Sequence, residues 1–257
     1  DKLTNLPNRI SFFFFFNSEI IQNQEFKVYA EHNTVGESAQ NLFAVLLLSI
    51  DRFHNINRSL GYEISDKLLM AIARRLEKCI IDLDTNVVAR IGEDEFALLI
   101  TELKNQHDVI NRAERLYREL IKPFEINGAT VCSTVSIGIS LNQDHNREPE
   151  KMLRWADTAM QYAKANFART SVLFNETMES TAVERLRLEN DLQRAIDNHQ
   201  LYLNYQPIVS LDTGKINCLE ALVRWQHDSL GTISPDKFIP ICEETGQIIA
   251  LGEWVMS

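Results

Sequence analysis

Three consecutive carboxylates stand in one short segment of the chain, Gly92–Glu95, which reads GEDE. Like charges this close repel one another unless water or a cation screens them. A solvated acidic turn is one interpretation. A divalent-metal site is the other, because Mg²⁺ prefers carboxylate oxygens and keeps coordination positions for phosphate oxygens. Such a site needs a second donor, and Asp51 offers one at the end of a predicted strand.

Hydrophobic patterning predicts the elements that must position these carboxylates. The nearly continuous apolar run Phe43–Ile50 is typical of a strand that is covered on both faces, and helices follow from apolar residues at helical spacing. The predicted strands cover residues 43–50, 87–91, 96–100, 130–141 and 171–174, and the predicted helices cover residues 66–80, 109–121 and 149–166. This mixed order of strands and helices predicts an α+β layer structure.

The composition is that of a folded, acidic protein. The 257 residues carry a formal net charge of −10, and 45% of them are hydrophobic, which excludes intrinsic disorder as the main state. The negative charge argues against binding to a nucleic-acid polymer. No apolar run reaches the ~18 residues that span a bilayer, so we expect no membrane segment in this fragment and a cytoplasmic location, with any anchor lying elsewhere in a longer protein.

Several segments are predicted to be structural. The four cysteines form no CxxC pair, and we expect buried free thiols. The run Phe12–Phe16 favours a role in the core over an interface, and the polar segment Lys27–Gln40 is predicted to be an insertion without an assigned function. After Asn175 we expect a second unit that starts with the helix Val183–Ile196. Two strands over residues 201–209 and 215–225 and a helix opened by Pro235 follow it.

Six ordered motifs in residues 1–174 resemble those of GGDEF domains, the diguanylate cyclase family. As they stand here, they read DKLTNLPNR (1–9), SIDRFHNIN (49–57), LGYEISD (60–66), RIGEDEF (90–96), SIGI (136–139) and ADTAM through AK (156–164). The resemblance implies a central, mostly antiparallel sheet flanked by helices. It also implies that two facing protomers, a homodimer, each hold one GTP and condense the pair into cyclic di-GMP with Mg²⁺ or Mn²⁺.

The same resemblance assigns roles to individual residues. It implies that Asp94 and Glu95 are catalytic, and that Asp94 and the backbone carbonyl of Ile50 bind the metal. The nucleotide-binding positions that it implies are Asn57 and Asp66 for guanine, together with Phe53, Gly92 and Lys164. A helix cap remains the alternative role for Asn57 and for Asp66.

Four departures from the family pattern bear on activity. Ser49 stands where the family has its first metal-binding Asp, Glu93 replaces the second glycine of the signature, and Ala168 replaces a phosphate-facing Arg. The product-inhibition motif RxxD is absent at Leu83–Asn86. We therefore expect a domain that binds GTP, is a weak or inactive cyclase, and regulates the following unit. A working cyclase that places its metal on Asp51 is the alternative, and a structural dimerisation domain is a third.

The remaining sequence resembles the start of an EAL domain, the cyclic di-GMP phosphodiesterase family. The motifs YQPIV (205–209) and EALVRW (220–225) carry this resemblance, which implies the truncated start of a TIM-type barrel and hydrolysis only in a longer chain. It implies that Glu220 binds a metal and that Gln206, Leu222 and Arg224 contact cyclic di-GMP. An interior ion pair is the alternative for Arg224. The predicted domains are a GGDEF domain over 1–174, a linking segment over 175–199 and an incomplete EAL domain over 200–257.

Overall fold

The computed structural model describes residues 1–18, 42–83, 85–142, 148–165, 170–198 and 200–256. These residues form two compact units, Asp1–Glu179 and Ser180–Ser257. The predicted insertion Lys27–Gln40 lies outside the described residues.

The first unit alternates strands and helices along the chain. Its elements are α1 (residues 9–18), β1 (Leu42–Ile50), α2 (Phe53–Leu60), α3 (Tyr62–Leu83), β2 (Thr85–Arg90), β3 (Glu95–Leu103), α4 (Gln106–Leu120), β4 (Phe124–Ile126), β5 (Ala129–Val131), β6 (Val135–Leu141), α5 (Pro149–Ala165) and β7 (Ser171–Leu173). Five of the strands form one sheet in the order β2-β3-β1-β6-β7. All neighbouring strands in it are antiparallel except β6 and β7. The predicted α+β class with a mostly antiparallel central sheet is confirmed.

Helices cover both faces of this sheet. Successive side chains of a strand point to opposite sides, and the apolar side chains of β1 are buried on both sides. On β1, Leu46 and Leu48 join the core formed with α3 and α4, whereas Val45 and Leu47 join the core formed with α1 and α5. The run Phe12–Phe16 contributes its two ends to the second core, since both terminal phenylalanines are buried and pack against each other. The central phenylalanine of the run is exposed.

Helix α5 lies unusually close to strand β6. A Cβ atom added to Gly138 of β6 would lie 1.9 Å from the backbone oxygen of Ala156 and 2.3 Å from the backbone nitrogen of Met160. No side chain fits in that space, so glycine at this position sets the distance between α5 and the sheet.

The predicted strand over 130–141 is divided in the structure. Residues 132–134 separate β5 from β6, and here the backbone oxygen of Thr134 accepts a hydrogen bond from the backbone nitrogen of Asp51 (2.9 Å). Strand β5 pairs instead with the unpredicted β4, across a turn at Asn127 and Gly128, which both have positive φ. An Asn-Gly pair with these angles is typical of a tight β-hairpin.

The second unit consists of an antiparallel sheet and helices. The boundary between the units falls within α6 (Glu176–Asp197). The later elements are β8 (Leu201–Val209), β9 (Ile216–His227), β10 (Gly231–Ile233), α7 (Pro235–Thr245) and α8 (Ile248–Met256). The sheet order is β10-β9-β8, and Trp225 and Phe238 are fully buried in the core of this unit.

Two predictions concern the burial of the cysteines and the absence of a membrane-spanning segment. None of the four cysteines forms a disulfide, but the expectation that they are buried is wrong for three of them. Cys242 is buried, Cys79 is partly exposed, and Cys132 and Cys218 are exposed. Across the described ranges, no helix has both the length and the apolar character that crossing a bilayer requires.

Candidate functional site

The carboxylates predicted from the sequence lie in the turn Gly92–Glu95, here called the signature turn, between β2 and β3. This turn is fastened to the end of β1. The buried hydroxyl of Ser49 donates a hydrogen bond to Oδ2 of Asp94 (2.8 Å), and the backbone nitrogen of Ile50 donates to the backbone oxygen of Asp94 (3.2 Å). Ser49 and Glu95 are also register partners on neighbouring strands. The end of β1 and the signature turn therefore form one connected site.

Glycine at position 92 leaves room for the side chain of Glu95. The backbone oxygen of Glu95 accepts hydrogen bonds from the nitrogens of Ile91 (3.0 Å) and Gly92 (3.4 Å), which closes the turn. A Cβ atom on residue 92 would lie 2.7 Å from Oε2 of Glu95. The Glu95 carboxylate thus folds back over the turn, while the side chain of Glu93 is exposed.

Arg90 joins the signature turn to the first residues of the chain. Its Nη1 donates to Oδ1 of Asp1 (3.1 Å), its Nη2 donates to the backbone oxygen of Glu93 (2.7 Å), and its backbone nitrogen donates to the oxygen of Pro7 (2.9 Å). The segment before α1 therefore lies beside the signature turn.

Glu95 is the catalytic candidate with the most perturbed environment. Partial burial raises its pKa above the usual value, and the negative charges of Asp157 and Asp94 raise it further. The positive charges of Lys164 and Arg9 oppose this rise. Asp157 and Arg9 were not among the predicted site residues, although both lie inside the motifs that carried the resemblance.

Both carboxylate oxygens of Asp51 accept a hydrogen bond from a hydroxyl group. Its Oδ2 accepts from Oγ1 of Thr134 (2.6 Å), and its Oδ1 accepts from Oγ of Ser136 (2.7 Å). These contacts fix the beginning of β6 against the end of β1. They use both carboxylate oxygens of the residue that was the alternative metal donor.

The residues predicted to contact guanine lie on the helix pair α2 and α3. The two helices meet at Gly61, which has φ +81° and whose nitrogen donates to the backbone oxygen of Asn57 (3.0 Å). Phe53, the first residue of α2, is buried. The side-chain Oδ1 of Asn57 is buried and accepts no hydrogen bond from the described residues.

Asp66 connects this helix pair electrostatically to the signature turn. Burial lowers the pKa of Arg90, and the carboxylates of Asp66, Glu93 and Asp94 partly reverse that effect. The exposed Asp66 is therefore near enough to Arg90 for the two charges to interact. Two further positions predicted from the resemblance, Ala168 and the segment Leu83–Asn86, lie wholly or partly outside the described residues.

In the second unit, the predicted residues come together on one face of the β8–β9 ribbon. Gln206 and Glu220 are direct cross-strand partners, and Leu222 and Arg224 follow at alternate positions of β9. Gln206 and Glu220 are exposed. Nη1 of Arg224 donates to the backbone oxygen of Val223 (2.8 Å) rather than to a carboxylate, so the alternative of an interior ion pair for Arg224 is not seen among the described residues.

Comparison with known proteins assigns the family. The family model described as "Diguanylate cyclase, GGDEF domain" matches residues 1–169, and the model of the EAL domain matches residues 189–257. The chain belongs to the GGDEF family. The chain is 34% identical, over its whole length, to the cyclic di-GMP phosphodiesterase NbdA of Pseudomonas aeruginosa, of which it covers 31%. It is 37% identical, over 83% of its length, to the bifunctional diguanylate cyclase/cyclic di-GMP phosphodiesterase MucR of the same organism, again covering 31%.

A solved structure agrees with this assignment. The GGDEF domain of TpbB (YfiN) from Pseudomonas aeruginosa is 32% identical, with a TM-score of 0.59, and the match covers 71% of this chain and 98% of that one. The chain spans about a third of the length of the curated relatives it matches. It is a GGDEF-EAL chain of cyclic di-GMP signalling, and GGDEF domains generally use Mg²⁺ or Mn²⁺ and bind GTP.

Proposed function

We propose that residues 1–174 form a GTP-binding regulatory domain whose own cyclase reaction is weak or absent. Under this proposal, residues 175–199 link it to the beginning of an EAL domain over 200–257. The observation that carries the proposal is the hydrogen bond from the buried Ser49 hydroxyl to Asp94. By the resemblance, the family has carboxylates at both of these positions and binds a metal ion between them.

The donor set does not fit two divalent ions. Mg²⁺ sites are built from carboxylate and phosphate oxygens, but Ser49 offers a neutral oxygen whose proton already points to Asp94. Asp94, Glu95 and the carbonyl of Ile50 remain. Among the described residues, no group of three or more His, Cys, Asp or Glu side chains is arranged to hold a metal ion. We expect weakened binding of Mg²⁺ or Mn²⁺ and slow turnover because Ser49 supplies no carboxylate at this position.

The guanine side of the site supports retention of nucleotide binding. A buried acceptor without a donor is unfavourable, so the side chain of Asn57 gains a hydrogen bond if it turns its Oδ1 out to a base that supplies an N–H group. Guanine presents N–H donors along one edge, which match the acceptors of Asn57 and Asp66. Phe53 provides apolar surface, and Gly92 and Lys164 complete the proposed nucleotide contacts. Bacterial cytoplasm, which contains GTP, is the proposed location.

Turnover and binding together test this proposal. The 257-residue chain is incubated with radiolabelled GTP and Mg²⁺ or Mn²⁺, and GTP binding is measured by calorimetry. We expect measurable binding and little or no cyclic di-GMP. Robust synthesis would contradict the proposal. An absence of GTP binding would favour a structural dimerisation domain instead.

A second candidate, an active diguanylate cyclase, is favoured by one observation. Asp94 and Glu95 are both present and adjacent in the signature turn, and the relative MucR is named as bifunctional. The reaction would require two protomers, each with one GTP. The version of this candidate that places metal on Asp51 is disfavoured, because hydroxyl groups already occupy both of its carboxylate oxygens.

For the complete protein, we propose hydrolysis of cyclic di-GMP by the EAL domain. The shared face of Gln206, Glu220, Leu222 and Arg224 supports this, because it gathers a potential metal ligand and ligand contacts on one ribbon. A chain extended beyond Ser257 should convert cyclic di-GMP to a linear product. Binding without product would leave a receptor role.

A further inference from the structure

Helix α1 is firmly placed beside the signature turn. The side chain of Asn8 accepts a hydrogen bond from the backbone nitrogen of Ser11 (2.9 Å), which caps the helix. Phe12 and Phe16 are fully buried in the core one turn apart. Together with the bond between Pro7 and Arg90, these contacts fix the first turn of α1, where Arg9 stands.

Arg9 has a charged group that contacts a neighbouring ring and is open to solvent. Its guanidinium lies 5.8 Å from the centre of the Phe13 ring, one turn further along the helix, and such a cation–π contact limits the rotamers of the side chain. Arg9 is exposed. Within the described ranges, its guanidinium has no hydrogen bond or ion pair to an acidic group, so its N–H donors are open to a ligand.

Two helices, α1 and α5, each bring one positive charge near the signature turn. Arg9 comes from the first turn of α1, and Lys164 comes from the last turn of α5. Both are close enough to Glu95 for their charges to act on it. They are set against the carboxylates of Glu93, Asp94 and Glu95, which would otherwise repel an anionic ligand.

We propose that Arg9 is a phosphate-binding residue, acting beside Lys164 on the phosphate groups of the bound nucleotide. This inference rests on the proposed function, because it takes a guanine nucleotide as the ligand. The chain has alanine at position 168, where a phosphate-facing arginine is expected. A planar guanidinium is suited to phosphate oxygens because it can donate two parallel hydrogen bonds. Arg9 supplies such a group from the opposite end of the domain sequence.

Equilibrium dialysis with radiolabelled GTP tests the proposal, in EDTA so that no metal neutralises the phosphates. Unlabelled guanosine serves as a competitor that lacks phosphate. We expect Arg9→Ala to weaken GTP binding by about tenfold, as for loss of one charge-assisted hydrogen bond, while guanosine competes with an unchanged inhibition constant. Arg9→Lys should give an intermediate loss. Arg118→Ala is the matched control, because Arg118 is exposed on α4.

The outcomes separate this inference from the proposed function. If Arg9→Ala binds GTP within twofold of the unsubstituted chain, or if guanosine weakens by the same factor as GTP, Arg9 does not bind phosphate. If the unsubstituted chain binds neither GTP nor guanosine in EDTA, the dialysis is repeated with Mg²⁺. Binding that requires Mg²⁺ overturns the proposal for Arg9 alone, and no binding in either condition overturns both proposals. Thermal unfolding of each variant, followed by circular dichroism, checks that the domain remains folded.

Discussion

On the side of the site formed by α2 and α3, Asn57 keeps a buried Oδ1 that accepts no hydrogen bond from the described residues. On the side formed by β1 and the signature turn, Asp94 already accepts a hydrogen bond from Ser49, and Asp51 accepts two from Thr134 and Ser136. The first side has an unsatisfied acceptor. On the second side, Oδ2 of Asp94 and both carboxylate oxygens of Asp51 already accept hydrogen bonds from protein hydroxyl groups.

This difference separates retained binding from lost chemistry. An unpaired buried acceptor costs about 1–3 kcal/mol, a cost that a ligand donor removes. A carboxylate that accepts a hydroxyl bond from its own protein has less to gain from a metal ion. We therefore expect loss of the Asn57 amide to weaken nucleotide binding without lowering stability, and loss of the Ser49 hydroxyl to lower stability with little effect on nucleotide binding.

The largest effect is expected when the metal side is restored. Ser49→Asp combined with Glu93→Gly returns a carboxylate beside Asp94 and removes an anion from the turn. Electrostatic groups of this kind change rates by about 10²–10³, so we expect cyclic di-GMP synthesis from radiolabelled GTP to rise by about a hundredfold.

The matched control for this change is Ser49→Asn with Glu93→Gly. The amide has nearly the same size as the carboxylate but carries no charge, so synthesis should rise only by the part that Glu93→Gly contributes and should stay well below that of the Ser49→Asp variant. Equal synthesis by all three proteins would mean that the comparison between the two sides is wrong.

On the guanine side, removal of the unpaired acceptor should weaken binding without weakening the fold. Asn57→Ala should reduce GTP affinity by about tenfold or more. The free energy of unfolding of the ligand-free chain should stay equal or rise by up to about 1 kcal/mol, because an unsatisfied group is lost. Calorimetry and urea unfolding measure the two quantities.

Alanine also has a higher helix propensity than asparagine, so a control for this effect is needed. Asn55→Ala on the same helix changes propensity at an exposed position. A fall in stability in Asn57→Ala, relative to Asn55→Ala, would show that Asn57 is a structural residue and not a base contact.

The mirror-image substitution on the metal side is Ser49→Ala. It removes the donor to Asp94 and should lower the free energy of unfolding by about 1 kcal/mol, while GTP affinity changes less than threefold. Urea unfolding and calorimetry apply again. A loss of GTP affinity as large as that of Asn57→Ala would mean that Ser49 takes part in nucleotide binding.

The smallest expected effect is a pH dependence from Glu95. Burial and the neighbouring carboxylates raise its pKa above the ordinary value of 4.5 in the folded protein. The folded state therefore loses stability relative to the unfolded state as pH rises from 4.5 through the raised pKa. Glu95→Gln should match the unsubstituted chain at low pH and become the more stable protein above that range.

Denaturant unfolding between pH 4 and pH 8 measures this difference, which stays small because water screens a half-exposed group. The control is Glu102→Gln at an exposed position of the same strand. A stability advantage for Glu95→Gln that is equally large at every pH would exclude titration of Glu95 as its cause.

Much of the first unit follows from local sequence patterns. The strand predicted over 43–50 and the helices predicted over 66–80, 109–121 and 149–166 agree with β1, α3, α4 and α5 to within a few residues. These elements have long apolar runs or many helical repeats. Strand β4 has three residues and too little pattern, although Asn127-Gly128 was an available turn signal. The division between β5 and β6 depends on contacts with Asp51, which is far away in sequence.

The candidate site was predictable in its members but not in its connections. The sequence places Ser49 where an acid is expected, yet the hydrogen bond from Ser49 to Asp94 depends on the pairing of β1 with β3. Arg9 lies 86 positions before Glu95 in the chain, and only the packing of α1 on the sheet brings their charges together. Burial of Oδ1 of Asn57 likewise depends on how α2 and α3 pack.

The missing side chain at Gly138 controls more than local packing. Helix α5 carries Asp157 and Lys164, whose opposing charges both act on Glu95. A single methyl group at residue 138 would work as a wedge under the helix, since no free volume exists between it and the backbone of Ala156. Lifting α5 in this way would shift both charges relative to Glu95 without altering any charged residue. The positions of these two charges relative to Glu95 therefore depend on the absence of a side chain at residue 138.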